Sequence, residues 1–292
     1  MIVVELCGGL GNQLFQYAAG RSVADRLGVD LGLDVRPLRP PADRRFGLAP
    51  FSIRARIVPD GDLRGVHGGS LRFGWRARAR GFMDAGAAWF CRPAMRGMRP
   101  VVHQEPTFSD VLSRVTDGSW LEGFWQSERY FESNADRIRA DLTLRAVGPA
   151  TAGAEAEIES LEYPVAIHVR RGDYASVPTT RAYHGLCGLD YYEAAIARVL
   201  DRHPEATFLL FSDDPAWVAA HLVASRRRIM AGDGEAHEDL YLMSRCRAHI
   251  IANSSFGWWG AWLAPSDLVI APRRWFQGAE DDAVVPERWV RL

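Results

Sequence analysis

From residue 164 to 271 the chain alternates between apolar runs of strand length and longer segments with helical spacing. PVAIHVR, ATFLLF, RRIMAG, HIIAN and DLVIAP have strand character. LDYYEAAIARVLDRH, SDDPAWVAAHL, HEDLYLMSRC and SSFGWWGAWLA lie between them with helix character. Strands separated by helices pair in parallel, and each crossover lays its helix on a face of the sheet. No other feature narrows the fold as much: this half is α/β, with a parallel sheet covered on both sides.

The amino terminus starts the same way. MIVVELC is a β-prone run, GGLGN a turn, and QLFQYAAGRSVADRLG a helix with Phe15, Ala19, Val23 and Leu27 on one apolar face. Gly28 suits a helix stop, and VDLGLD a second strand. The 292 residues have room for two domains. The small, flexible residues of 146–160 place the boundary: residues 1–150 and 151–292, with the last residues packing back on the first domain. Two Rossmann-like halves facing across a cleft are the expected architecture. Residues 36–120 are rich in Arg, Pro and Gly, which predicts short helices and loops with a mobile segment near 60–82. WLEGFWQSERYF then gives a strand or turn leading into a helix. Asp190 and Glu193 have capping-box spacing, and Pro215 suits the first turn of its helix.

Several function classes are disfavoured. The net charge of -1 offers no basic surplus for nucleic acid or an anionic membrane, although all 35 basic residues are Arg. No signal-peptide pattern opens the chain, and no run reaches the roughly 20 apolar residues of a membrane span. Cys7, Cys91, Cys187 and Cys246 are scattered without a CxxC pair, which predicts free thiols in a cytoplasmic protein. Asp60-Gly-Asp62 is too short a pattern to argue for metal, and no HExxH is present.

Ligands of open parallel sheets collect beyond the carboxyl ends of the strands. HVRRGD, FSDD and ANSS all fall there. Alternate side chains share a face, so His168 and Arg170 point one way and Val169 points into the core. Arg170 offers forked donors to phosphate oxygens. Gly172 lets the chain turn, and Asp173 can fix an arginine or act on substrate. A surface Arg–Asp pair beside a satisfied histidine explains the motif equally well. Asp213 can accept two hydrogen bonds from a guanine edge, while Asp214 caps the helix ahead of Pro215. Ser254 and Ser255 open a helix whose terminus favours phosphate, although an ordinary helix cap has the same sequence. The FGWWGAW tryptophans are core material. Gly9 and Gly11 match the opening of a dinucleotide fingerprint, but Leu14 stands at its third glycine. A tight turn that brings Asn12 and Gln13 to the cleft fits better.

GGLGNQLFQYA at 8–18, GFWQSERYF at 123–131, HVRRGDY at 168–174, FSDD at 211–214 and ANSSFGWWGAWL at 252–263 together resemble the α-1,2-fucosyltransferases. The HxRRxD element is also similar to one shared with α-1,6- and protein O-fucosyltransferases. The resemblance implies a GT-B fold and inverting transfer of L-fucose from GDP-β-L-fucose, usually to O2 of galactose in a glycan acceptor. It implies no required metal or other cofactor. It also implies that Arg170 meets the β-phosphate, that His168 and Asp213 surround guanine, and that Ser254 and Ser255 hold the diphosphate, with Asn253 and Phe256 beside them. Arg171 and Asp173 belong to the same motif, Asn12 faces donor or acceptor, and Gln13, Trp125 and Gln126 fall on the acceptor side. Gly257 stands where many relatives have serine, and Trp125 where an aromatic pair is usual.

In such a transfer the acceptor hydroxyl attacks C1 as GDP leaves, and charge grows on the β-phosphate, where Arg170 and the helix at Ser254 can receive it. Asp173 is the candidate base by proximity, with Glu5 and a carboxylate of the middle segment as alternatives. The rival readings are a glycosyltransferase of other linkage or donor, a non-catalytic sugar-binding module, and a nicotinamide oxidoreductase, the last opposed by Leu14.

Overall fold

The computed structural model describes residues 1–63, 101–104, 108–222, 224, 226–230, 234–277 and 283–292. Two sheets organise it. The first contains β1 (Ile2–Glu5), β2 (Leu31–Asp34), β3 (Arg56–Ile57), β4 (Val101–His103) and β5 (Trp120–Glu122), in the order β3-β2-β1-β5-β4. The second contains β6 (Pro164–Val169), β7 (Thr207–Ser212), β8 (Arg227–Ile229), β9 (Ala248–Ile251), β10 (Leu268–Ala271) and β11 (Val290–Arg291), in the order β11-β10-β9-β6-β7-β8. Every pairing between these strands is parallel. The chain adopts the α/β class expected from the alternation, in the GT-B-like form that the resemblance implies.

Helix α1 (Leu10–Leu27) follows β1 directly. It starts inside GGLGN rather than after it, so Asn12 and Gln13 sit in its first turn. Gly28 stops it in the left-handed region, φ 65 and ψ 35, where glycine meets no Cβ penalty. The expected apolar stripe is only part of the story. Residues 13–20 of α1 are buried all round, because a second helix packs where solvent was expected.

That helix is α9, the last of the second half. In chain order the intervening helices are α2 (Ala135–Asp141), α3 (Pro149–Glu159), α4 (Gly172–Ser176), α5 (Pro178–His184), α6 (Leu189–Leu200), α7 (Pro215–His221) and α8 (Ala236–Ser244), ahead of α9 (Ser255–Leu263). Trp258, Trp259 and Trp262 of α9 are buried, with Phe15 of α1 4.5 Å from Trp258 and 5.0 Å from Trp259, ring centre to ring centre. Phe131 stacks on Trp259 at 5.5 Å. Such ring pairs contribute about 0.5–1.5 kcal/mol each beyond the area they bury. One hydrophobic cluster therefore runs from β1 and α1 through to α9 and Trp289, and couples the two halves.

Two local expectations change. Residues 146–160 contain the helix α3, held to α8 by the Thr151 hydroxyl, which donates to Glu238 at 2.8 Å. Its alanines, small enough to suggest a flexible connection, are also the best helix formers. Asp190 and Glu193 make no capping box, because α6 starts at Leu189 and Asp190 already lies inside its first turn. The box is instead made by Glu235 and Glu238 at α8. Of the segment expected to be mobile, Asp60–Leu63 form a 3-10 turn, and the rest lies outside the described residues. WLEGFWQSERYF forms β5 and then 3-10 turns at Glu128–Tyr130 and Glu132–Asn134 that lead into α2.

Near the carboxyl end, Trp258 donates to the Val284 carbonyl at 2.7 Å, Glu287 pairs with Arg129 at 2.8 Å, and Arg288 pairs with Glu128. β11 then joins β10. Among the described residues no helix is long and apolar enough to cross a membrane. Cys7, Cys187 and Cys246 are free thiols, and Cys91 lies outside the described residues.

Candidate active site

The chain leaves β6 through Arg170 and Arg171, and two carboxylates at the end of the neighbouring strand β7 receive it. Asp213 accepts from the Arg171 backbone N–H at 2.8 Å and pairs its other oxygen with Arg170 Nη1 at 2.9 Å. Arg170 also pairs with Asp173, at the start of α4. The guanidinium is thus clamped between two carboxylates with part of its face still open. Gly172 permits this, since a Cβ there would lie 2.5 Å from Asp213 Oδ2. Arg171 turns away, bonding Asp214 at 3.2 Å and lying 4.1 Å over the Trp217 ring. Asp214 also accepts from the Trp217 N–H at 3.1 Å, so it is the cap of α7.

His168 shares the face of Arg170, while Val169 packs into the core on the other side. Its ring is 5 % exposed and 5.5 Å from Phe256, and its Nδ1 has no hydrogen-bond partner among the described residues. Burial, with the Arg170 charge adding to it, pushes this imidazole down to about 3. It is a neutral ring at physiological pH. A Cβ at Gly257 would lie 2.6 Å from His168 Nδ1, so the ring occupies the space a serine would take at that position.

Ser254 is the N-cap of α9, but its side chain makes no capping hydrogen bond. The first amides of a helix have no partner within it and carry partial positive charge. This terminus follows β9, the strand paired with β6, and Phe256 and Gly257 touch His168. Arg170, His168, Ser254, Ser255 and Phe256 therefore come together at one end of the second sheet.

Other expected site residues do different work. Asn253 is buried and donates to the carbonyls of His184 (2.6 Å) and Trp275 (3.1 Å), so it ties loops together instead of facing a ligand. Gln13 is wholly buried. It donates to the Gly8 and Arg45 carbonyls and accepts from the Gly47 N–H, each at about 2.9 Å. Trp125 is also wholly buried, edge-on to Tyr130 at 5.3 Å. Its left-handed φ of 54 is held by Gln104 Oε1, which accepts from both the Phe124 and Trp125 amides. Neither Gln13 nor Trp125 lines a cleft wall. Gln126 donates to Asn12 Oδ1 at 2.7 Å, which joins the turn after β5 to the first turn of α1.

Asp60 of the DxD pattern pairs with Arg39 at 2.7 Å. Among the described residues no group of three or more His, Cys, Asp or Glu is arranged to hold a metal ion.

The sequence profile of glycosyl transferase family 11 matches residues 112–290, which include the arginine loop, both aspartates and the α9 terminus. The chain belongs to glycosyl transferase family 11. This family 11 transferase is 31 % identical over its whole length to an alpha-1,2-colitosyltransferase of Escherichia coli, covering 99 % of that protein. It is 30 % identical to galactoside alpha-(1,2)-fucosyltransferase 1 of Bos taurus, over 51 % of this chain and 45 % of that one. Among solved structures, the fucosyltransferase NodZ from Bradyrhizobium matches with a TM-score of 0.51 at 16 % identity, over 90 % of this chain and 93 % of the other. At that identity the likeness concerns the fold alone.

One further set of residues includes Glu5, an alternative base in the sequence reading, and is assembled by strand register. Asp34, Glu5, Glu122 and His103 end the adjacent strands β2, β1, β5 and β4. Glu5 pairs in register with Asp34, His103 with Glu122, and the β1–β5 register continues from Val4–Leu121 to Glu5–Glu122. Their strand neighbours Val3 and Trp120 lie on the face opposite α1, so the four form one polar row on that face. The only signal is that IVVE, LGLD and WLE each end on a carboxylate.

Proposed function

We propose that the protein transfers L-fucose from GDP-β-L-fucose to O2 of a galactose residue in a glycan, with inversion at C1. The observation that carries this reading is Arg170, clamped between Asp173 and Asp213 beside the uncapped terminus of α9. A nucleoside diphosphate that leaves from this place sheds negative charge onto a forked cation and a set of free amides. Family membership and the galactoside alpha-(1,2)-fucosyltransferase among the relatives support the donor and the linkage. The neutral His168 and the Asp213 carboxylate remain our candidates for the guanine edge, and Asn12 with Gln126 for the acceptor side. Arg170 and α9 supply the positive charge that a metal would otherwise bring, and we infer that none is required. A GDP-sugar donor and three free thiols support a cytoplasmic location.

A second reading concerns the donor sugar. One relative that matches the whole chain is named a colitosyltransferase, and colitose is fucose without its 3-hydroxyl. Incubation with GDP-fucose or GDP-colitose and a panel of β-galactosides, with the product linkage assigned by NMR, tests both. Product from GDP-fucose with an α-1,2 linkage upholds the first reading. Product from GDP-colitose alone selects the second. Transfer from neither donor overturns both.

A further inference from the structure

The polar row of the first sheet is unevenly satisfied. Asp34 is bound by Arg36 through Nε at 2.9 Å, Nη2 at 3.0 Å and the backbone N–H at 3.0 Å. Glu122 lies 3.1 Å from His103 Nδ1. Glu5, between them at the end of the central strand, is 4 % exposed and has no hydrogen-bond or ion-pair partner among the described residues. A buried carboxyl without a partner is costly, and a leucine or glutamine would cost the fold less. The row opens outward, since the Glu122 side chain is 13 % exposed and that of His103 25 %.

The row also lies at the end of the molecule where chemistry is expected. It marks the carboxyl ends of the strands, where parallel sheets bind ligands. The chain runs from Glu5 through Cys7 into α1, whose Gly11 touches Ser255 at the α9 terminus. Both sheets therefore present their carboxyl ends toward the contact between α1 and α9. Asp173, the base suggested by proximity in the sequence, is occupied in holding Arg170.

We propose that Glu5 is the catalytic base that takes the proton of the acceptor hydroxyl, with Glu122 and Asp34 as positioning residues that set its proton affinity. This rests on the transferase reading above and names the residue that completes it. The acceptor O–H gives its proton to a Glu5 carboxylate oxygen. The electron pair of the broken O–H bond stays on the acceptor oxygen, which forms the bond to C1 of the donor sugar. The bond from C1 to the β-phosphate oxygen breaks, and its electron pair leaves with GDP.

The charge environment fits. The groups around Glu5 are Asp34 and Arg36 from β2 and its following turn, Glu122 from β5 with His103 behind it, and Cys7 beyond β1. Burial first, then the Glu122 and Asp34 charges, with Arg36 opposing, push Glu5 up to about 8. A base that titrates there is strong and still partly ionised near neutrality.

The test uses the full chain with Glu5→Gln and Glu122→Gln. Glu5→Gln is expected to lower kcat for transfer by at least about a hundredfold, with GDP affinity by calorimetry and the thermal transition retained. Glu122→Gln is expected to move the rising limb of kcat/KM to lower pH, since a negative neighbour of Glu5 is removed. Glu5→Gln turning over like the parent, or a pH limb that Glu122→Gln leaves in place, overturns the proposal. Should Glu5→Gln fail to fold, the limb of Glu122→Gln decides alone. If the unaltered protein transfers from no GDP-sugar, the transferase reading itself has failed, which is a different result.

Discussion

Gly11 lies so close to Ser255 that a Cβ added to it would sit 2.5 Å from the Ser255 carbonyl carbon and 2.6 Å from the Phe256 nitrogen. The amino terminus of α1 thereby abuts that of α9, and each helix begins where a strand of its own sheet ends. Because the crowded atoms are backbone, Gly11→Ala forces the two termini apart. Overpacking of this kind costs about 1–3 kcal/mol. A lower melting temperature is expected, with a larger loss in transfer than in GDP affinity. A variant with unchanged melting and turnover would show that the contact is not needed.

Arg170→Ala removes the cation between Asp173 and Asp213. The loss of one such donor raises a barrier by about 2.7–4 kcal/mol, so turnover falls by two to three orders of magnitude, on the order of what that barrier implies. Arg170→Lys is expected to recover little, because an ammonium cannot reproduce the fork. Steady-state kinetics on folded variants check both.

Gln13→Ala leaves the Gly8 and Arg45 carbonyls and the Gly47 amide without their partner. Each buried group left unpaired costs on the order of 1–3 kcal/mol. Denaturant unfolding should show a clear loss of stability. A loss of acceptor affinity at unchanged stability would instead place Gln13 on the substrate.

Stability should respond to pH from two directions. Burial pushes His168 down to about 3, and His184 and His249 each down to about 4. Between the ordinary histidine value and these values the unfolded chain binds protons that the native one does not, so stability falls as pH drops through that window. Glu5 has the opposite sign. Its native value of about 8 lies above the ordinary carboxyl value of 4.5, so the native state holds the extra proton and stability falls as pH rises between the two. Glu5→Gln should therefore gain in melting temperature over the parent as pH rises from 4.5 to 8. A pH-independent difference would contradict this.

EDTA should leave turnover unchanged, since Arg170 and the α9 amides receive the leaving charge. Activity that falls with chelation and returns with added magnesium would count against that assignment.

Much of the second half is legible in one dimension. Alternating strands and helices give the parallel sheet, the period-2 rule puts His168 and Arg170 on one face, and Asp214 before Pro215 announces a helix cap. These features depend on neighbours within a few residues, and local spacing encodes them. Gln13, Asn253 and Trp125 stand inside equally distinctive motifs, yet each is spent on holding loops or filling core. A polar side chain in a motif has the same letter whether it faces a ligand or a carbonyl, and only its surroundings separate the two.

Local spacing and motifs along the chain were enough for the layer architecture, the strand ends that carry charge, and the family. The tertiary structure alone decided that α1 and α9 meet at Gly11, and that Asp34, Glu5, Glu122 and His103 fall in one row. The four residues of that row are separated by up to 117 positions in the chain. What aligns them is strand register, set by hydrogen bonds and packing between segments that carry no mark of one another.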